Sequence, residues 1–299
     1  MIKLEIPKIE PLPVSSLTDI PEAMTDSDFN KVSSFIEKQV GIKMPASKKL
    51  MIQSRLTARL KALDMHSYKE YLNYAFSSAQ TENDEITSMI DVLTTNLTNF
   101  FREKEHFNVM MQTVLPTLSA KGITNPCLWS AGCSTGEEPY TLSMVMQEYM
   151  RLRPGKFTDY EILATDISTR VLEKAAQAVY PIETIEKLSY DLKHRYFLKS
   201  RPETGKPRVR VNEKTREKVR FSRLNFMDHT YNVFGPKDII FCRNVLIYFD
   251  KQTQQEVIAK LLKNLNKGGF LFLGHSETIF GMDLPVETIA PTVFHKLKD

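Results

Sequence analysis

The sequence predicts an α/β protein: a mainly parallel sheet with helices on both faces, preceded by an all-helical domain and carrying a small antiparallel β insert. Three observations predict it. Residues 26–95 show helical periodicity and no convincing strand. Beyond residue 107, short apolar runs alternate with helical segments, the pattern of parallel strands joined by helical crossovers. Between residues 195 and 221 the alternation breaks into three short β-type runs, RYFLKS, RVRV and KVRF, separated by turn-rich and charged residues.

Taken in order, residues 1–25 carry four prolines and no helical period, and read as a flexible, loosely docked tail. Thr25, Asp26, Ser27 and Asp28 form a helix-capping cluster. Phe29, Val32, Phe35, Ile36 and Val40 follow at helical spacing, and Gly41 supplies the stop. Further helices are predicted over 45–63, 67–76 and 82–95, giving a helical domain over 26–95 and a larger domain over 96–299. In the larger domain PCLWSA (126–131) is a buried strand ending at a glycine turn, and 139–150 is a helix. YEILATD (160–166) is a second strand with a helix from about Thr169. DIIFC (238–242) and GFLFLG (269–274) are strands flanking a helix over 254–266. The antiparallel insert is placed at about 190–222.

Composition bounds the function. The 299 residues are 42% hydrophobic and 25% charged, enough to bury a substantial core. A formal net charge of +4 is too mild to argue for nucleic acid by itself. The three cysteines form no CxxC pair and the six histidines show no ligand spacing, so neither a disulfide framework nor a metal site is expected. The N-terminal residues hold no apolar core of signal-peptide length, and the strongest apolar run, DIIFCRNVLIYF, is too short and interrupted to span a bilayer. A cytoplasmic protein is expected.

Ligands of such folds bind at the carboxyl ends of the strands, where WSAGCSTGEEPY (129–140) places Gly132 and Gly136. The stretch lacks the lysine of a phosphate-binding loop and the spacing of a dinucleotide motif. Glu137 and Glu138 would repel a phosphate; alternatively they are ordinary first-turn acids that favour the helix dipole. A ligand with hydroxyls and a positive centre suits them, and S-adenosylmethionine is one. Asp166, at the end of the second strand, is placed to hold ribose hydroxyls or to cap the following helix. Asn225 and Asn244 occupy two further strand ends, so four polar positions converge.

TNLTNFFRE, WSAGCSTGEEPY, LATDIST, FCRNVLIYFD and GGFLFLGHSE together resemble the CheR-type chemotaxis methyltransferases over roughly residues 26–299. The resemblance implies a Rossmann-like class I methyltransferase sheet, an N-terminal helical receptor-recognition domain and an inserted β-subdomain. It implies transfer of methyl from S-adenosylmethionine to receptor glutamates for sensory adaptation, leaving S-adenosylhomocysteine. Asn96, Thr98 and Arg102 would contact the cofactor from the domain junction, and Glu138, with Glu137 beside it, would face its amino group. Asp166 would hold the ribose. Asn225, Phe226, Asn244 and Val245 would frame the adenosine and methyl donor, with Gly132 in the turn. Tyr248 would lie beside the methyl, making Arg102 and Tyr248 the catalytic pair. A surface salt bridge for Arg102 and a core position for Tyr248 are the plainer alternatives. No general base is needed, because a glutamate with a pKa of about 4.3 is already ionised near neutral pH.

Lys48, Lys49, Arg55, Arg59 and Lys61 lie on the second helix with no acid among them. A solvated face is the ordinary meaning of such a run. The one-sided sign suits an acidic partner helix, and Lys48, Lys49, Arg55 and Arg59 are the expected receptor contacts. The β-subdomain is a candidate dock for a receptor C-terminal tail, and its turn, RPETGKP, has one glycine. A non-catalytic S-adenosylmethionine sensor and a nucleic-acid methyltransferase compete; the second lacks an NPPY-type motif.

Overall fold

The computed structural model describes residues 22–77, 84–200 and 205–297. Residues 1–21 of the expected tail and 201–204 of the RPETGKP turn lie outside the described residues.

Helix α1 (Asp26–Val40) begins where Thr25 Oγ1 accepts from the Asp28 N–H and ends at Gly41, whose φ of 75° gives the left-handed C-cap. It is followed by α2 (Lys49–Ala62), α3 (Tyr68–Ala75) and α4 (Asp84–Leu93). Their apolar faces share one core with Val32 and Ile36 of α1, Ile52, Leu56 and Leu60 of α2, Tyr71 and Leu72 of α3, and Met89 and Leu93 of α4. Met24, expected in the tail, is buried in that core.

A strap over residues 94–103 leads into α5 (Lys104–Val109), a π-helical turn (Met110–Val114) and α6 (Leu115–Ala120), none of which the sequence periodicity singled out. The larger domain then runs β1 (Cys127–Ala131), α7 (Glu137–Leu152), β2 (Glu161–Asp166), α8 (Thr169–Gln177), β3 (Val179–Pro181), α9 (Tyr190–Tyr196), β4 (Phe197–Ser200), β5 (Arg208–Val211), α10 (Glu213–Arg216) and β6 (Val219–Arg223). It closes with β7 (Lys237–Cys242), α11 (Lys251–Lys263), β8 (Leu265–Leu273), β9 (Val286–Ala290) and β10 (Val293–Lys296). The sheet order is β6-β2-β1-β7-β8-β10-β9; the first five strands pair in parallel, β10 pairs antiparallel with β8, and β9 antiparallel with β10. Both faces are apolar: Leu128, Ile239 and Phe272 pack on one side, Trp129, Ile240 and Leu271 on the other.

One run lies elsewhere than expected. KVRF forms β6 at the edge of the main sheet, parallel to β2, because Val219 and Phe221 pack into the core beneath α7. The third strand of the small antiparallel sheet, ordered β3-β5-β4, is instead VYP after α8. Three residues ending in proline carry no alternation from which a strand could be read.

Candidate active site

The carboxyl ends of β1, β2 and β7 face the helical domain across a cavity of about 1010 Å³, its mouth included. Asn96, Thr98 and Arg102 reach it from the strap, Gly132 from the turn after β1, Glu138 from the first turn of α7, and Asp166 from the end of β2. Asn225 and Phe226 follow β6, and Asn244, Val245 and Tyr248 follow β7. Ile42, Met44, Lys48 and Met51 of the helical domain close the far side. The strap and four strand ends, distant in sequence, thus meet at one place.

The turn after β1 needs its glycine. Gly132 has a φ of 84°, and a Cβ there would lie 2.5 Å from Val245 Cγ2. The N–H groups of Gly132 and Cys133 both donate to Thr165 O, at 2.8 and 2.9 Å, tying the turn to β2. Asp166 accepts from the Ser134 N–H through Oδ2 at 2.8 Å and from the Ser168 N–H through Oδ1 at 3.0 Å. Burial pushes its carboxyl above the usual range against these hydrogen bonds. Each oxygen retains a lone pair for another donor. Ser168, and not Asp166, caps α8 by accepting from the Val171 N–H at 3.3 Å.

Glu138 accepts from Ser130 Oγ and from Arg243 Nε, each at 2.7 Å. The Arg243 side chain is 1% exposed and also donates to Arg102 O at 2.8 Å, Glu103 Oε2 at 3.3 Å and His106 Nδ1 at 3.0 Å. A nitrogen that accepts from a guanidinium carries no proton, so His106 is the neutral tautomer protonated at Nε2, which donates to Thr292 Oγ1 at 2.9 Å. Burial, then the charge of Arg243, pushes His106 down to about 4. Glu103, His106 and His275 bring three potential ligand atoms within 4.8 Å of one another. The Arg243 guanidinium already donates to two of the three, Glu103 and His106.

Arg102 donates to Leu97 O at 2.9 Å, folding the strap on itself, and among the described residues it makes no salt bridge. Asn244 adopts a φ of 59°, a conformation asparagine tolerates, and its Nδ2 donates to Glu103 Oε1 at 3.1 Å. Lys48 Nζ stands 5.9 Å from the centre of the Tyr248 ring. Asn225 Nδ2 donates to Gln39 O at 2.7 Å, linking the larger domain to α1.

Four expected site residues lie apart from the cavity. Glu137 starts α7, where Thr135 Oγ1 donates to its Oε2 at 2.7 Å; it is a buried first-turn acid and does not line the cavity. Lys49 pairs with Asp26 at 2.6 Å. Arg55 donates to Leu93 O and Thr94 O, at 2.7 and 3.0 Å, satisfying carbonyls at the end of α4. Arg59 pairs with buried Glu85, its Nη2 2.6 Å from Oε2. These two arginines have duties inside their own domain.

Sequence reasoning passed over Arg243, Glu103, Ser134 and Glu277. Arg243 had a visible signal, a charge directly after the apolar run DIIFC at a strand end. Glu277 had a weaker one, an acid three residues past the glycine that ends GGFLFLG.

A family model described as CheR methyltransferase, SAM binding domain, matches residues 96–294, and one described as CheR methyltransferase, all-alpha domain, matches residues 27–94. A chemotaxis protein methyltransferase of Borreliella burgdorferi is 37% identical over 277 residues, covering 91% of this chain and 95% of that protein. The chemotaxis protein methyltransferase of Salmonella typhimurium is 35% identical over 278 residues, covering 93% and 92%. Among solved structures, magnesium protoporphyrin IX methyltransferase from Synechocystis with bound SAH aligns over 69% of this chain and 70% of that chain, at 17% identity and a TM-score of 0.30. Among the described residues no helix is long and apolar enough to cross a membrane.

Proposed function

The chain belongs to the CheR methyltransferase family, whose members use S-adenosylmethionine in chemotaxis, and from that premise we propose that its acceptors are glutamate side chains in the cytoplasmic helical region of chemotaxis receptors. The products are glutamate methyl esters and S-adenosylhomocysteine, made in the cytoplasm for sensory adaptation. One observation carries the reading: buried acids and half-buried cations line one cavity. Asp166 and Glu138, the latter paired with buried Arg243, are buried in its wall, while Arg102 and Lys48 are half-buried and Lys48 stands over Tyr248.

The residues fit the cofactor. Asp166 keeps lone pairs for two ribose hydroxyls, and Glu138 offers negative charge to an ammonium. Asn96 and Thr98 bound the cavity from the strap, and Gly132, Asn225, Phe226, Asn244 and Val245 wall the nucleoside. When bound, the cofactor supplies a methyl group activated on a sulfonium. Arg102 holds a carboxylate by charge-assisted hydrogen bonds. Tyr248 walls the acceptor's approach, and Lys48 adds positive charge beside it. No side chain need take a proton, since the acceptor is already ionised. The chain's contribution is alignment and exclusion of water.

Incubation with labelled methyl donor and receptor-bearing membranes tests this. Base-labile label on the receptor is expected, with Arg102→Ala and Tyr248→Phe each lowering turnover at least about tenfold while remaining folded. Label stable to base, or near-normal turnover in both variants, would overturn the acceptor or the roles respectively. Omitting the receptor's C-terminal tail from a pull-down tests whether the small β3-β5-β4 sheet holds that tail.

A further inference from the structure

Glu277 lies beyond β8 and is 5% exposed, yet among the described residues its carboxylate pairs with no cation. It accepts four backbone hydrogen bonds. Oε1 takes the N–H groups of Val245 and Leu246, at 2.8 and 2.7 Å, and Oε2 takes those of Gly274 and Asn244, at 2.6 and 3.0 Å. Three of these donors are consecutive. Asn244 in the left-handed conformation followed by Val245 near the helical one turns successive N–H groups to one side, the backbone arrangement that ordinarily captures an anion. Here the anion belongs to the chain itself.

The captured turn carries cavity residues. Asn244 and Val245 line it directly, and the 3₁₀ turn that follows, Leu246–Tyr248, is closed by the Tyr248 N–H donating to Val245 O at 3.2 Å. Val245 is also the side chain that closes on Gly132. On the other side, a Cβ at Gly274 would lie 2.7 Å from Asn244 Nδ2 and 2.9 Å from both Asn244 N and Glu277 Oε2. Gly274 therefore admits the junction that Glu277 bonds. The Glu277 N–H returns to Gly274 O at 2.9 Å, so the carboxylate is delivered by a tight turn.

We propose that Glu277 is a positioning residue for methyl transfer, holding the ends of β7 and β8 together so that Asn244, Val245 and Tyr248 keep their places in the cavity. It touches neither reactant. Its two carboxylate oxygens satisfy four backbone donors, two of them buried and two part-buried, that no neutral side chain could serve alone. Glu277→Gln keeps the shape, replaces one acceptor oxygen with a donor and confronts two of the N–H groups with N–H.

The test compares native protein with Glu277→Gln, Gly274→Ala and, as control, the exposed neighbour Ser276→Ala. Affinity for S-adenosylhomocysteine is read by calorimetry and kcat at saturating cofactor by methyl transfer, well below the melting temperature, with binding stoichiometry reporting the folded fraction. In both test variants kcat should fall at least about tenfold, and by a larger factor than affinity, as expected when catalytic geometry is displaced. A role in stability alone would lower the melting temperature and leave both quantities native in the folded fraction. Folded Glu277→Gln with both quantities within about threefold of native overturns the proposal. Should that variant fail to fold, Gly274→Ala, which retains the carboxylate, decides by the same criterion. Calorimetry needs no acceptor, so native protein that binds the product but methylates no receptor sinks the acceptor proposed above. The positioning role is then decided by affinity: a loss beyond about threefold supports it and native affinity overturns it.

Discussion

Arg243 carries a full positive charge in a side chain that is 1% exposed, with Glu138, Glu103, His106 and the Arg102 carbonyl around it. Removing it would leave buried Glu138 and half-buried Glu103 without their cation, a loss of about 3–5 kcal/mol for a broken buried pair. Arg243→Lys should lose much of this too, since one ammonium cannot copy a planar fork reaching four acceptors. Melting temperature and affinity for S-adenosylhomocysteine should both fall in Arg243→Lys; native values for both would show that the fork is not needed. His106 gives a prediction of definite sign. Its folded pKa of about 4 lies below the ordinary 6.5, so the unfolded chain binds more protons between those values. Stability from this group is complete above pH 6.5 and is lost as pH falls towards 4, by at most about 3 kcal/mol. His106→Gln, which keeps an acceptor for Arg243 without titrating, should flatten the pH dependence of the urea midpoint between 6.5 and 4.5. An unchanged slope would assign that dependence to other groups. At this scale the sequence showed which residue types gather at strand ends. It could not show that Glu138 meets Arg243, because that pair is made by strand neighbours 105 positions apart.

Among the elements, α2 shows why a charge stripe does not state its own purpose. From sequence, Lys48, Lys49, Arg55 and Arg59 are equivalent receptor-contact candidates, three of them, Lys48, Arg55 and Arg59, close to one helical line. The fold divides them: Arg55 and Arg59 hold α4, while Lys48 stands over Tyr248 at the cavity. Charge reversal therefore has two separable outcomes. Arg59→Glu faces Glu85, whose side chain is 5% exposed and which also accepts from Tyr71 Oη at 2.7 Å, and should lower unfolding free energy by about 2–4 kcal/mol. Lys48→Glu should leave the melting temperature within a few degrees and raise KM for the receptor. If Lys48→Glu methylates receptors with native KM, this helix does not read the acceptor through that residue. Strands show a parallel limit. Those buried on both faces, β1, β2, β7 and β8, were legible as continuous apolar runs. The run KVRF was legible as a strand but not as a member of the main sheet. Its partner is chosen by Val219 and Phe221 packing beneath α7, which no local pattern encodes.

Across the whole molecule the cavity belongs to neither domain alone. The helical domain supplies Ile42, Met44, Lys48 and Met51, and the larger domain supplies the strand ends. Among the described residues few hydrogen bonds cross between them. Asn225 reaches Gln39 O, the Lys43 N–H donates to Tyr248 O at 3.2 Å, and Asp91 Oδ2 accepts from Thr169 Oγ1 at 3.0 Å and from the Arg170 N–H at 3.4 Å. Asp91 Oδ1, buried beside that last contact, has no hydrogen-bond partner among the described residues. A junction with so few bonds and one unsatisfied carboxylate oxygen is where opening costs least. A ligand walled by both domains should close it. At one hundred times its dissociation constant, such a ligand adds about 2.7 kcal/mol to stability by mass action alone. If the cofactor only filled the larger domain, amide exchange would slow around 132–138, 166–168 and 244–248 and nowhere else. Because the walls include residues 40–51 and the strap 94–98, exchange there should slow as well when S-adenosylhomocysteine binds. Lys43 and Asp250, 3.5 Å apart across the junction, supply an independent handle. Asp250→Ala also removes the α11 cap, so Lys43→Ala is the cleaner variant, and it should change stability little because the pair is exposed. The helical domain's exchange response to ligand therefore should persist in Lys43→Ala. Were protection confined to the larger domain in the native protein, the cofactor would be held by the sheet alone, and the helical domain would be free to move while it is bound.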